Sequence, residues 1–195
     1  ITGDNLQVYA NEVRLFGKRR GGGESIWEIR RKIGVVSPEL QLRYRRPVCV
    51  REVVLSGFFD SIGLYRRPDR QQEAIADRWL EILGVVEKAG RLFTHLSYGE
   101  KRLALIARAM VKSPELLILD EPCQGLDRAN REMVLALMER IGEQTTTGLI
   151  YITHHEEEMI PCIDHVLKLE KEGRTITSGN RSPEGPGIDC PREAG

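Results

Sequence analysis

The sequence predicts an α/β fold, because a strand typical of a parallel sheet lies between helical segments. Residues 116–119 are a short, fully apolar run that ends in Asp120 and Glu121. Such runs are typical of strands buried on both faces of a parallel sheet, whose C-terminal ends carry the ligand sites of α/β proteins. A second apolar run, residues 147–152, ends before His154. We therefore expect acidic and imidazole side chains at one edge of a sheet.

Composition limits the possible classes of protein. The 195 residues suggest one domain that can include a subdomain, and the 41% hydrophobic and 30% charged content fits a globular protein. Lys+Arg and Asp+Glu both number 29, so no overall field favours nucleic acid. The segment 14–46 is locally basic, which predicts solvated surface or, as an alternative, a docking patch. Four scattered cysteines and no apolar run long enough to span a bilayer favour a cytoplasmic protein.

The order of predicted elements separates two strand-rich parts from a helical middle. Short strands are expected at 6–9, 12–16 and 33–36, around a glycine-rich loop at 17–23. Helices are expected at 47–57, at 69–83, and from Ser97 onward. After the strand at 116–119 we expect a long helix capped by Asp127, the strand 147–152, a short acidic helix at 156–159, and a hairpin of 166–169 with 175–178. Residues 179–195 have little to bury and are predicted to be disordered.

Two local patterns point to a site for an anion, a divalent metal and a water. Ser97, followed by Gly99 and a helical run, predicts a helix N-terminus whose N–H groups favour an anion. Asp120 and Glu121 are adjacent on the predicted strand, so their side chains should point to opposite faces, one towards a metal and one towards a water. Parallel pairing of the two apolar runs would bring His154 near Glu121. The plainer alternative, that the acids only cap the next turn, stays open.

Taken together, these residues resemble the ATP-binding domain of ABC proteins. Leu96-Ser97-Tyr98-Gly99-Glu100 resembles the signature motif, residues 116–120 the Walker B strand, Gly125-Leu126-Asp127 the D-loop, and His154 the switch histidine. The resemblance covers roughly residues 1–178. It implies a RecA-like P-loop NTPase core with an inserted α-helical subdomain. The expected divisions are a partial core (1–39), a helical signature subdomain (40–113), the remaining core (114–178) and a tail (179–195).

The same resemblance implies a role for each matching residue. ATP and Mg²⁺ would be the bound groups, with ATP held between two domains arranged head to tail. Asp120 would hold Mg²⁺. Glu121 would orient or deprotonate the attacking water, and His154 would contact the γ-phosphate. The residues expected to contact nucleotide across the domain interface, or to couple the two sites there, are Ser97, Tyr98, Gly99, Glu100 and Asp127.

A narrower resemblance is to molybdate-transport-type ATP-binding proteins with two tandem ABC domains. It rests on 15–17, 23–27, 55–63 and the aromatic Tyr98, and it implies the second domain of such a pair. No G-x-x-x-x-G-K-[ST] motif occurs in the printed sequence. We therefore expect that the N-terminal strand and Walker A loop are missing and that these residues alone are inactive. Pro38 falls near the expected Q-loop glutamine, and Glu39 or Gln41 are the residues that could replace it.

The expected partners follow from the family mechanism. They are a second ABC ATPase domain and a membrane transporter subunit, with the chain cytoplasmic or peripheral at the inner membrane face; no direct contact with nucleic acid is expected. One rival is a non-enzymatic ABC module that acts only by binding a partner. Another is a DNA-repair ABC ATPase, which residues 40–95 disfavour because they are too short for the long coiled coil of that class.

Overall fold

The structure is a computed structural model that describes residues 14–19, 25–170 and 173–178. Within these residues the α-helices are α1 Ile26–Arg31, α2 Pro38–Arg43, α3 Val50–Leu55, α4 Arg70–Ile82, α5 Tyr98–Met110 and α6 Arg128–Gln144. The strands are β1 Arg14–Leu15, β2 Lys18–Arg19, β3 Ile33–Val36, β4 Leu116–Asp120, β5 Gly148–Ile152, β6 His165–Glu170 and β7 Gly173–Ser178.

A parallel sheet of strands β3, β4 and β5 forms the centre of the fold, with β4 in the middle. Ile33 pairs with Leu116 across β3 and β4, and Asp120 pairs with Ile152 across β4 and β5. The pairs β1–β2 and β6–β7 are antiparallel. The prediction of an α/β fold with a parallel strand at 116–119 is therefore confirmed.

The central strand is buried on both faces. Leu117 and Leu119 are 0% exposed and belong to a large core that includes α3, α4, α5 and α6. Ile118 points to the opposite face, where it packs with Ile29 of α1 and Ile33 of β3. This alternation is what a strand between two helical layers requires, and it fixes the direction in which the end of β4 emerges.

Helix α5 is held against the preceding helices by a close backbone approach at Gly57. A Cβ at this position would lie 2.0 Å from the carbonyl oxygen of Arg108, so only glycine fits. The buried Arg108 guanidinium then donates from Nε to Tyr44 Oη at 2.7 Å and from Nη2 to the Ser61 carbonyl at 3.1 Å. These bonds tie α5 to the segment after β3, as buried polar groups require partners.

The predicted helix boundaries are confirmed at three N-caps and wrong at one. Asp69, Ser97 and Asp127 each cap the helix that was expected to follow them. The helix expected over 47–57 begins only at Val50, because the Cys49 N–H donates to the Glu52 carboxylate at 2.9 Å and so forms the helix cap. Its last residues, Ser56–Phe59, form a 3₁₀ helix instead.

Smaller differences concern strand β5 and the residues outside the described ranges. Strand β5 begins at Gly148 and is half-exposed rather than buried, because only β4 pairs with it among the described residues. The acidic turn and the hairpin of β6 and β7 are present. The strand expected at 6–9, residues 20–23 of the glycine-rich loop and the tail 179–195 lie outside the described residues.

The helical middle and the strands share one buried core, and the division at 39, 113 and 178 stays a prediction. None of the helices in the described part of the chain is both long and apolar enough to cross a membrane.

Candidate active site

The residues that follow β4 and β5 lie next to one another at one edge of the sheet, with Asp120 at the end of β4. The parallel register aligns Asp120 with Ile152, so the residues that follow the two strands emerge side by side. His154 Nδ1 lies 3.2 Å from Glu121 Oε1, and the two side chains are 62% and 33% exposed. Asp120, Glu121 and His154 are called here the strand-end cluster. Their proximity is the arrangement expected from parallel pairing of the two apolar runs.

The backbone at Glu121 differs from the expected strand. Strand β4 ends at Asp120, and Glu121 has a φ of +45°, in the left-handed region that side chains other than glycine rarely adopt. The Glu121 N–H still donates to the Ile152 carbonyl at 2.9 Å. Glu121 therefore lies beyond the regular strand, so strand alternation alone does not determine where its side chain points, and the opposite-face arrangement of the two acids stays a prediction.

The environment of Asp120 fits a role in holding Mg²⁺. The residue is partly exposed at the end of β4, and within the described part of the chain no side chain bonds its carboxylate. No group of three or more His, Cys, Asp or Glu side chains that could hold a metal ion occurs among the described residues. Mg²⁺ is commonly held by one or two carboxylates together with phosphate oxygens and waters. A single carboxylate without a side-chain partner among the described residues, at the end of β4, is one of the ligands in that donor set.

The first turn of α5 forms a second candidate surface, Ser97–Glu100, called here the signature surface. Ser97 Oγ accepts from the Glu100 N–H at 3.3 Å, and the Ser97 N–H donates to Glu100 Oε2 at 2.8 Å. This capping box leaves the N–H groups of Tyr98 and Gly99 at the open end of the helix, where an anion is favoured. Tyr98 is 54% exposed beside them.

Lys88 completes the cap through an ion pair with the Glu100 carboxylate. That hydrogen bond from Lys88, followed by the bond from the Ser97 N–H, lowers the pKa of Glu100 below its ordinary value. Glu100 is therefore occupied in stabilising the helix start. In this structure its carboxylate faces Lys88 and the backbone of Ser97.

The signature surface packs directly on the start of α6. A Cβ on Gly99 would lie 2.3 Å from Asn130 Oδ1, so the absence of a side chain lets Asn130 pack closely against Gly99. Asn130 Nδ2 donates to Asp127 Oδ2 at 2.7 Å, and its backbone N–H donates to Asp127 Oδ1 at 2.9 Å. The hydrogen bond from the Asn130 backbone N–H, followed by the hydrogen bond from the Asn130 side chain, lowers the pKa of Asp127 below its ordinary value. Tyr98 lies over Gly125, which has a φ of +75°.

A cleft of about 230 Å³ opens after β3, where the Q-loop was expected. Ser37 caps α2 by accepting from the Leu40 N–H at 3.1 Å, with Pro38 in the first turn. Glu39 is exposed and lines the cleft, whereas Gln41 is 8% exposed. Of the two residues considered as replacements for the Q-loop glutamine, Glu39 is the more accessible, and its role stays a prediction.

Two contributors to the signature surface are not singled out by the sequence, Asn130 and Lys88. Asn130 carries a usable signal, because it stands three residues after the predicted N-cap Asp127, where a side chain can bond back to the cap. Lys88 carries none, since it reaches Glu100 from a separate 3₁₀ turn, Val86–Lys88.

Comparison with known proteins places the chain in a family. A sequence model of the ABC transporter family matches residues 3–124. The chain is 47% identical over 174 residues to the ABC transporter ATP-binding protein ModF of Escherichia coli K12, covering 89% of the chain and 36% of ModF. It is 32% identical over 123 residues to the molybdate import ATP-binding protein MolC of Haemophilus influenzae, covering 63% of the chain and 49% of MolC.

Other matches are named for different metals, and all of these relatives are longer than the chain. Relatives named as manganese and zinc transport system ATP-binding proteins are 28% and 29% identical. The chain spans 36% of ModF and no more than 64% of these two relatives.

A solved structure agrees with the sequence comparison. The chain is similar, with a TM-score of 0.64 and 28% identity, to an inward-facing conformation of a metal-chelate type ABC transporter. The match covers 75% of the chain and 58% of that structure. The parallel sheet, the helical middle and the family match agree, and the chain belongs to the ABC transporter family of ATP-binding domains.

Proposed function

We propose that this chain is part of an ABC-type ATPase, in which the strand-end cluster hydrolyses ATP and the signature surface covers the ATP of a second domain. The observation that carries the proposal is the 3.2 Å contact between His154 Nδ1 and Glu121 Oε1. The contact joins residues 33 positions apart through the parallel pairing of β4 and β5. An acid that can take a proton from water, beside an imidazole that can contact a phosphate, is the machinery of phosphoryl transfer to water.

Each residue of the strand-end cluster then has a distinct task. Glu121, one-third exposed, orients the attacking water and accepts its proton. The bond between Glu121 and His154 Nδ1 fixes the plane of the imidazole, so the opposite ring edge can face the γ-phosphate. Asp120 holds Mg²⁺ at the end of β4. When bound, Mg²⁺ neutralises charge on the phosphate oxygens.

The signature surface serves a different nucleotide. The Tyr98 and Gly99 N–H groups lie at the positive end of α5, where the reciprocal hydrogen bonds between Ser97 and Glu100 stabilise the first turn of the helix. We propose that this surface, with Asp127, meets the ATP held by the Walker A loop of a second ABC domain arranged head to tail. Both ATP sites would then be completed by residues from two domains.

A single substitution tests the hydrolytic proposal. Glu121→Gln in the full-length gene product should lower ATP turnover by roughly 10²–10⁴-fold, because the amide cannot accept the proton, while equilibrium ATP binding is retained. Glu132→Gln, an exposed acid of α6 that pairs with Arg128, is the matched control and should leave turnover unchanged. Turnover of the Glu121→Gln variant equal to wild type would favour the rival in which the domain only binds a partner.

The printed 195 residues should not bind ATP on their own. They contain no G-x-x-x-x-G-K-[ST] motif, and the N–H groups and lysine of that loop supply most of the contacts to the phosphates. Calorimetric titration of residues 1–195 with Mg²⁺ and ATP should give no measurable heat of binding. Micromolar affinity would contradict this expectation.

The identity of the transported ion is a separate proposal. We propose a link to molybdate, supported by the name of MolC and by the resemblance carried by 55–63 and Tyr98. The chain would bind a membrane transporter subunit at the cytoplasmic face of the membrane. Uptake of labelled molybdate, manganese and zinc in a strain lacking the gene tests the link. Loss of molybdate uptake alone supports it, and loss of manganese or zinc uptake alone contradicts it.

A further inference from the structure

One of three consecutive glutamates after the switch histidine is buried. Glu158 is 2% exposed, whereas Glu156 and Glu157 in the same 3₁₀ turn are exposed. A carboxylate removed from water is costly unless it is hydrogen-bonded and paired. The contacts of Glu158 therefore indicate what its burial stabilises.

Glu158 forms hydrogen bonds with both neighbours of His154. Thr153 Oγ1 donates to Glu158 Oε2 at 2.8 Å and accepts from the His155 N–H at 3.1 Å. The Glu158 N–H donates to the His155 carbonyl at 3.2 Å. The Thr153 hydroxyl thus connects the His155 N–H to the buried Glu158 carboxylate. Both neighbours of His154 are therefore held in place, which restricts the conformation of the backbone that carries the imidazole.

The same carboxylate is connected to the start of α6. Arg131 Nε lies 3.7 Å from Glu158 Oε1, and the Arg131 N–H donates to the Asp127 carbonyl at 2.9 Å. The Arg131 side chain is 35% exposed and that of Glu158 3% exposed, so the pair is shielded mainly at the carboxylate. A continuous path of bonds and one ion pair joins the D-loop residue Asp127 to the His154 loop.

We propose that Thr153 and Glu158 are positioning residues that hold His154 against Glu121, and that Arg131 anchors them to the D-loop helix. This inference rests on the proposed ATPase function and deepens it. In this proposal Thr153 and Glu158 do not touch the reacting atoms. Their effect on hydrolysis passes through the orientation of His154, whose Nδ1 meets Glu121 at 3.2 Å.

The test compares two substitutions of Thr153 in the full-length gene product. Thr153→Val keeps the shape and removes the hydroxyl, and it should lower kcat for ATP roughly tenfold with an unchanged KM, because the imidazole is misplaced rather than removed. Thr153→Ser keeps the hydroxyl and should restore most of kcat. Equal kcat values for Thr153→Val and wild type would overturn the inference, as would equal losses in both variants.

A double-variant cycle separates positioning from general loss of structure. If Thr153 acts through His154, Thr153→Val should lower kcat no further when His154→Ala is already present. Additive losses would overturn the inference. Unchanged turnover in His154→Ala alone would contradict the proposed function itself, whereas a deficient His154→Ala with a normal Thr153→Val contradicts only the positioning role.

A second readout does not depend on hydrolysis. Removing the hydroxyl acceptor should increase hydrogen exchange at the His155 amide in Thr153→Val, while Thr153→Ser retains protection. Glu158→Gln should also raise this exchange because it removes the charge that pairs with Arg131, and Glu132→Gln, an exposed acid of α6 that pairs with Arg128, is the matched control. No change at His155 in both Thr153→Val and Glu158→Gln would overturn the inference even for a variant that is fully folded.

Discussion

The signature surface and the strand-end cluster are built over very different distances along the chain. Ser97 and Glu100 are three residues apart and satisfy one another through a capping box. Glu121 and His154 are 33 residues apart and meet only because β4 and β5 pair in parallel register. The comparison teaches that the first surface depends on local helix chemistry, whereas the second depends on the packing of the whole sheet.

The largest expected effect comes from weakening the sheet. Leu119 is 0% exposed and pairs with Val36 and Tyr151. Leu119→Ala should lower the free energy of unfolding by about 2–5 kcal/mol, because it leaves a cavity beside the strand-end cluster. Urea unfolding of the chain measures this. As a control, Leu42→Ala on α2, where the side chain is 61% exposed, should change the free energy of unfolding by less than about 0.5 kcal/mol. Equal losses of stability in the two variants would contradict the importance of β4 packing.

An intermediate effect is expected where the signature surface meets α6. Gly99→Ala places a methyl group 2.3 Å from Asn130 Oδ1. It should break the hydrogen bond that the Asn130 side chain donates to the Asp127 carboxylate. We expect a loss of about 1–3 kcal/mol in unfolding free energy. Because the obstructing atoms belong to a side chain, Gly99→Ala with Asn130→Ala should cost less than the sum of the single variants. Strict additivity in urea unfolding would mean that the two residues do not touch.

The smallest effect concerns the pH dependence of the cap. The pKa of Glu100 is lowered in the folded state by Lys88 and then by the Ser97 N–H. Its contribution is therefore present above the ordinary carboxyl pKa and is lost as pH falls through the lower, folded-state pKa.

Glu100→Gln should accordingly be less stable than wild type by about 0.5–1 kcal/mol at neutral pH. The difference should shrink towards zero under acid conditions. Urea midpoints measured from pH 7 down to pH 3 follow the change, with Glu132→Gln as an exposed control. A difference that grew on acidification would have the wrong sign for a stabilising carboxylate.

The predictable parts of the molecule are those that sequence-local rules determine. Ser97 and Asp127 are predictable as helix caps because a side chain that accepts from the third following N–H acts within four residues. The apolar run 116–119 was identified as a buried parallel strand because it lacks the alternation of a half-exposed one. These elements also place the strand-end cluster, once the parallel pairing is assumed.

The parts that escaped prediction depend on atoms brought together by packing. The left-handed φ of Glu121 leaves no compositional signal, since that conformation is usually associated with glycine or asparagine. The contact of Asn130 with Gly99 requires the relative placement of α5 and α6. The burial of Glu158 among three glutamates depends on where Thr153 and Arg131 lie in space.

The backbone of Glu121 has a consequence for directed evolution of this domain. A φ of +45° costs a long side chain about 1–2 kcal/mol relative to residues that tolerate the left-handed region. Glycine or asparagine at position 121 would relieve that strain while removing the carboxylate beside His154. A library selected only for heat resistance should therefore accumulate sequences that lack the carboxylate on which the proposed hydrolysis depends, and thermostable variants should be sought with Glu121 held constant.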